Sequence, residues 1–316
     1  MSIFVLWKNL KTAVIVNPKA GNGRTAKIWL NVESSLKQCI GSFKLINTTY
    51  RGEAEHLTRQ ELQNGAVNIV AVGGDGHLNE VLNGFIQNDL PIKSDAALSF
   101  LMTGTGCDFQ RSFGITTNWQ SAVYNLKMAK LRQIDVGKVT FTKSDSTKQV
   151  RYFANIASFG LSGSVDRCID NSRFWPFLKG SPLFLWATIK SVLNHPNQLV
   201  KFKIDDGQEQ HIKTRLGLLA NGRYFGGGMI AAPEAELDDG MLDLIVLKEI
   251  SLAKFLWHLP KIYKGSHLNI PEVFFQKVHK LTASSKEQVM LDIDGESPGY
   301  LEATFEVLPR ILKMRI

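Results

Sequence analysis

One stretch, Ile69 to Gly84, combines an apolar run with three glycines around an aspartate. The run Ile69–Val72 leads into Gly73-Gly74-Asp75-Gly76, and an amphipathic pattern begins at Leu78. This order predicts a buried parallel strand, a tight turn and the start of a helix. Glycines let a backbone approach a ligand closely, free N–H groups at a helix start favour a phosphate, and Asp75 could meet the metal that accompanies it. A plain strand-to-helix turn explains the stretch equally well when it is taken alone.

Two acidic turns in the second half of the chain could also do chemistry, namely Asp294-Gly295-Glu296 and Asp238-Asp239-Gly240. Phosphoryl transfer needs neutralised phosphate charge and an oriented hydroxyl more than it needs covalent chemistry. A carboxylate that is held by hydrogen bonds can orient that hydroxyl and take its proton. Each motif by itself is more typical of a plain β-turn or surface turn.

A third glycine-rich segment, Gly21-Asn22-Gly23-Arg24-Thr25-Ala26, matches the G-x-G-x-x-A form of a dinucleotide fingerprint. That fingerprint requires an acidic residue at the end of the second strand to hold a ribose hydroxyl. Here the second predicted strand, Phe43–Ile46, ends in Asn47-Thr48-Thr49, which contains no acid. The sequence therefore argues against a NAD-type Rossmann site, and a P-loop is excluded because no G-x-x-x-x-G-K-[ST] occurs.

Composition narrows the class of partner. The chain has 316 residues and a net charge of +8. That charge fits nucleotide phosphates, an anionic membrane surface or nucleic acid, although solubility alone would explain it as well. No arginine-rich run with interleaved aromatics supports a nucleic-acid groove. The three cysteines, Cys39, Cys107 and Cys168, lie far apart, which indicates a reducing compartment rather than a disulfide framework or thiolate metal site.

The first half of the chain alternates between strand and helix patterns. Strands are predicted over 12–17, 43–46, 67–72 and 98–102, and helices over 26–39, 53–64 and 78–87. Such alternation predicts a parallel sheet with helices on both faces, whose ligands bind at the carboxyl ends of the strands. The three glycine-rich loops that follow Val16, Val72 and Met102 are expected to converge at that edge.

From about residue 137 the pattern becomes mostly antiparallel β, which predicts a sandwich or barrel. Strands are expected over 136–142, 149–159, 199–204, 210–220, 241–247 and 278–283, with helices only over 163–194 and 251–264. The predicted domains are an ATP-binding α/β domain over 1–136 and a β-sandwich domain over 137–305. The last residues, about 306–316, could return to the first domain.

The ordered motifs resemble those of the diacylglycerol-kinase catalytic-domain lipid kinases, especially the soluble bacterial members, which are also similar to sphingosine kinases. Seven motifs carry the resemblance over nearly the whole chain: Asn17-Pro18-x-x-Gly21, Thr48-x-x-x-Gly52, Gly73-Gly74-Asp75-Gly76-x-x-Asn79-Glu80, Gly104-Thr105-Gly106-x-Asp108-Phe109, Asn221-Gly222-x-x-x-Gly226-Gly227-Gly228, Pro233-x-Ala235-x-x-Asp238-Asp239-Gly240-x-Leu242 and Asp294-Gly295-Glu296. The Gly-Gly-Asp-Gly element alone would not distinguish them from NAD kinases and phosphofructokinases.

The resemblance implies a nucleotide-binding α/β domain like that of NAD kinase, a β-sandwich domain, and an active site in the cleft between them. It implies ATP contacts at Asn17, Gly21, Thr48, Gly73, Gly74, Asp75, Gly76, Asn79 and Thr105. It further implies that Asp75 and Asp108 serve a catalytic Mg²⁺ with its water network, and that Asp294 and Glu296 form the acid/base pair. A second, structural Mg²⁺ is expected near Asp239, with backbone oxygens at about Glu236 and Met241.

Two residues depart from the family pattern. His77 stands where threonine is usual, and Cys107 stands where asparagine is usual. At a helix start, the His77 imidazole is expected to donate to a phosphate or to face solvent rather than to act as a base. A cysteine cannot replace the hydrogen bonds of an amide, and a reactive thiol at Cys107 is not expected.

The expected function is therefore an ATP- and Mg²⁺-dependent lipid kinase, cytoplasmic and peripheral to the inner face of the membrane. It would phosphorylate a free hydroxyl of a glycerol- or sphingoid-type lipid such as diacylglycerol. The aromatic and cationic run from Arg173 to Lys190 suits a membrane contact or lipid-access lid, or an ordinary helix packed on the β domain. A soluble-substrate kinase of the NAD-kinase or phosphofructokinase type and a catalytically silent lipid or nucleotide sensor remain alternatives. No nucleic-acid partner is expected, and a homodimer is left open.

Overall fold

The computed structural model describes residues 10–115, 118–143, 147–165, 187, 190–191 and 196–316. The chain divides into two compact units. Unit 1 comprises 1–134 with 310–316, and unit 2 comprises 135–309. The sequence had placed this boundary at 137 and had allowed the last residues to join the first domain.

Unit 1 contains a parallel sheet with helices between its strands. Its elements in order are β1 (Thr12–Val16), α1 (Ala20–Ile40), β2 (Lys44–Asn47), α2 (Glu53–Gln63), β3 (Asn68–Gly73), α3 (Asp75–Phe85), β4 (Ile86–Gln87), β5 (Leu90–Pro91), β6 (Ala97–Met102), α4 (Asp108–Arg111) and α5 (Trp119–Met128). β1 pairs in parallel with β2 and β3, and β3 pairs in parallel with β6. The short pair β4–β5 is antiparallel. Near the C-terminus, Met314 pairs in parallel with Leu98 of β6.

Apolar β-branched residues explain why β1 and β3 lie inside the sheet. Every residue of β1 and of β3 is buried, as expected for parallel strands that are covered on both faces. On one face, Val14 and Val70 pack in a cluster with Leu36 of α1 and Leu126 of α5. This packing fixes the carboxyl ends of the strands, from which the glycine-rich loops leave.

Unit 2 is built of antiparallel strands. Its elements in order are β7 (Leu131–Thr142, which begins in unit 1), β8 (Lys148–Phe153), β9 (Ile156–Gly160), β10 (Gln198–Ile204), β11 (Glu209–Ala220), β12 (Tyr224–Phe225), β13 (Met229–Ile230), β14 (Leu242–Lys248), α6 (Leu252–Tyr263), β15 (Val273–Val278), β16 (Lys280–Ser284), β17 (Leu291–Ile293) and β18 (Ala303–Arg315, which ends in unit 1). β11 pairs with β9, β10 and β14, and β9 also pairs with β17. A core of valines, leucines, alanines and phenylalanines, the last including Phe159, Phe202 and Phe305, lies within the unit.

The predicted fold class is confirmed for both units. Two predicted strands were wrong in their length, because each is interrupted where an aspartate side chain takes the backbone N–H groups. The strand predicted over 149–159 breaks at Ala154-Asn155, whose N–H groups donate to Asp294. The strand predicted over 278–283 breaks at His279, whose N–H group donates to Asp205. At each break, a carboxylate that is distant in the chain accepts the backbone N–H groups.

Some predictions fall on residues that the structure does not describe. The predicted helical region 163–194 lies largely outside the described residues, and so does the aromatic and cationic run from Arg173 to Lys190. The second predicted helix is α6, and Ser251 caps it by accepting a hydrogen bond from the N–H of Lys254 at 3.4 Å. Among the helices that are described, none is long and apolar enough to cross a membrane.

Candidate active site

The three glycine-rich loops of unit 1 meet at the carboxyl ends of β1, β3 and β6. The N–H of Asn17 donates to Val72 O at 2.9 Å, and the N–H of Thr103 donates to Gly73 O at 2.7 Å. The hydroxyls of Thr25 and Thr103 lie 2.6 Å apart. These bonds tie each loop to the next, so the expected convergence is present in the structure.

Glycine is required in these loops because their backbones touch. A Cβ on Gly104 would lie 2.6 Å from Gly74 Cα, and a Cβ on Gly21 would lie 2.6 Å from Thr103 O. Gly21, Asn22 and Gly23 all have left-handed dihedral angles, so the chain coils tightly before the regular part of α1 begins. The Gly21–Ala26 segment therefore shapes a loop edge, although it lacks the acidic partner of a dinucleotide site.

An open cavity of about 500 Å³ lies beside this edge, at the ends of β1 and β2. Its wall includes Thr48, which was predicted to contact ATP, whereas sequence reasoning missed Lys19 and Trp29. The Lys19 ammonium donates to Thr49 O at 2.9 Å and is exposed. A lysine directly after the Asn17-Pro18 motif was the available signal, since a cation beside a glycine-rich loop can meet a phosphate.

The other predicted nucleotide contacts differ in accessibility. Asn17 Oδ1 accepts the N–H of Lys19 at 3.0 Å. Thr105 is exposed, and Gly74, Asp75 and Gly76 are half-buried, so these residues are open to a ligand. Gly73 and Asn79 are buried. Asn79 Oδ1 accepts a hydrogen bond from Asn83 Nδ2 at 3.1 Å inside α3.

Asp75 and Asp108 line one small space. A Cβ on Gly106 would lie 3.1 Å from Asp75 Oδ2 and 3.9 Å from Asp108 Oδ2, so only glycine leaves this space free. Asp75 Oδ1 accepts the N–H of Phe109 at 3.3 Å. Burial raises the pKa of Asp75, although hydrogen bonds from the backbone of residues 107–109 oppose the rise. Two carboxylates around a space that a methyl group would fill form a donor set that fits Mg²⁺.

His77 does not face a phosphate or solvent, so that prediction was wrong. Its side chain is buried, and Nε2 lies 3.0 Å from Ile15 O in β1. A Cβ on Gly73 would lie 2.7 Å from the imidazole, so the ring fills space beneath the loop. Burial lowers the pKa of His77 to about 4, and the neutral ring can donate to Ile15 O.

Cys107 holds a backbone conformation that suits asparagine better. Its φ of 53° and ψ of 41° are left-handed, where asparagine is enriched among residues that have a Cβ. The thiol is buried, and Sγ lies 3.2 Å from Gly104 O. Burial, together with the charges of Asp75 and Asp108, raises the pKa of Cys107 to about 12, so a reactive thiolate is not formed near neutral pH.

In unit 2, Asp294 lies in a tight turn between Ile293 and Glu296. Asp294 and Gly295 have φ of 49° and 85°, and the N–H of Glu296 donates to Ile293 O at 3.1 Å. The positive φ values of both central residues match a type I′ turn. Asp294 and Glu296 are half-buried, while Gly295 is exposed. The turn therefore leaves its acidic side chains within reach of a ligand.

The Asp294 carboxylate accepts three backbone hydrogen bonds. Oδ2 accepts the N–H of Ala154 at 3.1 Å, and Oδ1 accepts those of Asn155 and Ile156 at 3.2 and 2.9 Å. These bonds fix the direction of the carboxylate, and the residue is half-buried in its turn.

Asn221, from the Asn221-Gly222 motif, supports the strand break that supplies those donors. Its buried Nδ2 donates to Ala154 O at 2.8 Å and to Asp135 O at 2.9 Å. Its backbone N–H donates to Asn155 O at 2.9 Å. The motif thus holds the backbone that positions Asp294, a role that sequence reasoning did not assign.

An apolar cavity of about 90 Å³ lies in unit 2, against one face of β11 and β14 and the helix α6. Its wall includes Leu161, Ser162, Val165, Leu218, Ala231, Ile245, Leu247, Phe255 and Leu259. Ser162 Oγ is 2.7 Å from Ser158 Oγ, which is 3.2 Å from Asp292 Oδ2. Asp292 Oδ1 accepts the N–H of Gly295 at 2.9 Å, so a short polar chain connects the cavity wall to the Asp294 turn.

The loop that was predicted to hold a second magnesium is also in unit 2. Asp239 Oδ1 accepts the N–H of Met241 at 3.0 Å, and Oδ2 forms an ion pair with the ammonium of Lys277. Glu236 is exposed and Met241 is half-buried. Within the described part of the chain, no group of three or more histidine, cysteine, aspartate or glutamate side chains is arranged to hold a metal ion.

Comparison with known proteins agrees with this arrangement. Residues 11–139 match the diacylglycerol kinase catalytic domain, and residues 155–316 match the YegS C-terminal NAD kinase beta sandwich-like domain. A probable lipid kinase YegS-like protein of Chromohalobacter salexigens is 30% identical over 78% of this chain and 74% of its own. The chain belongs to the YegS-like diacylglycerol kinase family. This is a family of phosphotransferases, so the predicted family and enzyme class are confirmed.

Other members and neighbours of the YegS-like family agree over nearly the full length. The diacylglycerol kinase of Bacillus subtilis (strain 168) is 27% identical, over 95% of this chain and 94% of its own. The crystal structure of a Bacillus anthracis str. Sterne protein covers 96% of both chains, with a TM-score of 0.75 and 26% identity. Yeast NADH kinase has a TM-score of 0.52 at 13% identity over 97% of this chain and 82% of its own, which shows a shared fold alone.

Proposed function

We propose that this protein is an ATP- and Mg²⁺-dependent lipid kinase that phosphorylates a free hydroxyl of a lipid such as diacylglycerol. The observation that carries the proposal is the Asp294 carboxylate, which three backbone N–H groups hold in one direction. Such a carboxylate can accept the hydrogen of an alcohol and take its proton as the oxygen attacks phosphorus. The new bond joins the lipid oxygen to the γ-phosphorus, the bond to the β-phosphate oxygen breaks, and ADP leaves.

Unit 1 would bind the nucleotide at the loops after β1, β3 and β6. Their touching backbones and the exposed Lys19 suit the close approach of a polyphosphate. Asp75 and Asp108 would hold Mg²⁺ in the space that Gly106 leaves open. When bound, this ion would supply charge neutralisation at the transferred phosphate. The resemblance implies that the nucleotide and the lipid hydroxyl meet in a cleft between the two domains, and we propose the same for this protein.

The apolar cavity favours a lipid over a soluble substrate. A cavity needs about 10–15 Å³ by this measure to hold one water molecule, so about 90 Å³ has room for a short acyl segment. Each methylene group that is buried there contributes about 0.8 kcal/mol. The chain from Ser162 through Ser158 to Asp292 connects this cavity to the Asp294 turn, which would place an acyl segment near the acceptor hydroxyl.

The two alternative functions, a kinase of a soluble substrate and a silent sensor, each fit the structure less well. A kinase of a soluble substrate would have no use for an apolar cavity beside the acid turn. A silent sensor was suggested by His77 and Cys107, but both side chains are buried and the acidic side chains of the site are retained. We further propose that the enzyme acts in the cytoplasm, as a peripheral protein at the inner face of the membrane, where its net charge of +8 would favour anionic lipid.

The test is a transfer assay with γ-labelled ATP and Mg²⁺. The acceptors are micelles of diacylglycerol, phosphatidylglycerol, monoacylglycerol or a sphingoid base, with NAD and fructose 6-phosphate as soluble acceptors. Label in one lipid, lost in Asp294→Asn and retained in Asp205→Asn, is the expected result. Label in a soluble acceptor alone would overturn the lipid assignment. ATP binding without label in any acceptor would overturn the kinase and leave the sensor.

A further inference from the structure

The loop around Asp239 contains a cation that the chain itself supplies. Asp239 follows β13 and precedes β14, and the family resemblance predicted a structural magnesium at its carboxylate. In the structure, both oxygens of that carboxylate already have protein partners, the N–H of Met241 and the ammonium of Lys277. Its side chain is 20% exposed, although the residue as a whole lies at the surface.

The strand register places Lys277 at this position. β14 and β15 are antiparallel, and Asp243 of β14 lies directly opposite Lys277 of β15. The Lys277 ammonium is 3.9 Å from Asp243 Oδ1 as well as paired with Asp239. The register fixes the backbone of Lys277 and places its side chain on the same face of the sheet as that of Asp243. The sheet therefore brings the ammonium within reach of both carboxylates.

The two carboxylates need a cation. Asp243 is 2% exposed, and its Oδ2 has no hydrogen-bond partner among the residues that the structure describes. An ionised carboxylate that is buried without compensation is strongly destabilising. The exposed residues Glu234 and Glu236 add further negative charge from the same loop. Arg223 Nε donates to Ala235 O at 2.8 Å, so this arginine adds positive charge to the same loop.

A magnesium ion does not fit this arrangement. Mg²⁺ requires six oxygen ligands in near-octahedral geometry, whereas the Lys277 ammonium contacts the oxygen that would be its only carboxylate ligand here. A divalent ion at Asp239 would be repelled by the ammonium. We infer that the Lys277 ammonium takes the place of the second magnesium, so that this unit is stabilised by a built-in cation and binds no structural metal ion at Asp239.

The test compares thermal unfolding of the full chain without nucleotide, in EDTA and in millimolar MgCl₂. The variants are Lys277→Met, the double variant Lys277→Met/Asp239→Asn, and Lys213→Met as a matched control. Lys213 forms a lysine–carboxylate pair in unit 2, with Glu249 at 3.0 Å, but both members of this pair are exposed. Removal of its charge therefore reports the effect of losing an ordinary surface ion pair.

Wild type, Lys213→Met and Asp239→Asn should show the same change of Tm with Mg²⁺, because any binding at Asp75 and Asp108 is common to all three. Lys277→Met should gain an additional Mg²⁺-dependent rise of about 3–6 °C when the ion is tenfold above its Kd, and the double variant should lose it. A Mg²⁺-dependent rise in the Tm of wild type that Asp239→Asn abolishes would overturn the inference. A folded Lys277→Met whose Tm gains no additional rise with Mg²⁺ would overturn it as well. If Lys277→Met does not fold, wild type and Asp239→Asn are each titrated with Mn²⁺. An ion that binds wild type and not Asp239→Asn would overturn the inference, and equal binding to both supports it. These readouts do not depend on kinase activity.

Discussion

Replacement of Asp294 by asparagine separates the chemical role of its carboxylate from the shape of its turn. Asparagine tolerates the positive φ of 49° at this position about as well as aspartate does, so the type I′ turn should persist. If the amide oxygen takes the place of Oδ1, it still accepts the N–H groups of Asn155 and Ile156. The amide nitrogen then meets the N–H of Ala154, and two donors face each other.

The size of the effect follows from these bonds. One hydrogen bond to a charged group is lost and two are weakened, and each bond to a charged group is worth about 1.5–3 kcal/mol. We expect the free energy of unfolding to fall by about 2–4 kcal/mol, which leaves a typical domain folded at 25 °C. Loss of the proton acceptor should lower the rate of phosphoryl transfer by about 10²–10⁴-fold.

Asp205 offers a matched control. It also has a positive φ, of 47°, and its Oδ1 accepts the N–H groups of His279 and Lys280 at 3.0 and 2.8 Å. Asp205→Asn keeps that oxygen, so it should cost less than about 1 kcal/mol and leave the rate unchanged. Urea unfolding and initial rates of label transfer measure both quantities. If Asp294→Asn retains the wild-type rate while folded, the assignment of Asp294 as proton acceptor is refuted.

Three further outcomes follow from buried groups. Because the pKa of His77 is lowered to about 4 in the folded protein, the unfolded chain binds more protons than the folded one between pH 6.5 and 4. As the pH falls through that range, the free energy of unfolding of wild type should decrease by on the order of 3 kcal/mol more than that of His77→Thr, as measured by urea unfolding. Ala231→Leu should fill part of the apolar cavity. The rate of transfer to long-chain diacylglycerol, relative to short-chain diacylglycerol, should then fall by about 30-fold, which corresponds to the loss of two to three buried methylene groups. If this ratio of rates does not change, the cavity is not an acyl site. Cys107→Asn should raise the free energy of unfolding by about 1 kcal/mol, since asparagine suits the left-handed backbone; an unchanged urea midpoint contradicts this account.

The sequence was sufficient where a short segment determines its own structure. Apolar β-branched runs such as Ile69–Val72 predict buried parallel strands, and the order of strands and helices predicts that the glycine-rich loops converge at one edge of the sheet. Both expectations hold, and the contact of Gly104 with Gly74 follows from the pairing of β3 with β6. The change from alternating helices to antiparallel strands near residue 137 was visible for the same reason.

The sequence was insufficient where the partner is distant in the chain. Asp294 is 138 residues from Ile156, whose N–H it accepts, so the residues around 154–156 do not show which carboxylate accepts their N–H groups. Lys277 is 38 residues from Asp239, and only the register of β14 with β15 brings it to the loop. The resemblance gives a metal ion at Asp239, whereas our inference of a built-in cation depends on the contact with Lys277, which the motif around Asp239 does not show.

The turn at Asp294 shows that a structural and a chemical interpretation of a short acidic motif need not be alternatives. Asp294-Gly295-Glu296 is the plain β-turn that its composition favours. The positive φ values of that turn set the direction in which the Asp294 side chain leaves the backbone, and that direction brings both carboxylate oxygens to the N–H groups of 154–156. Since those groups hold the carboxylate, the turn geometry is what makes it a fixed acceptor. An aspartate in a more flexible loop would have the same charge without the orientation that proton transfer requires.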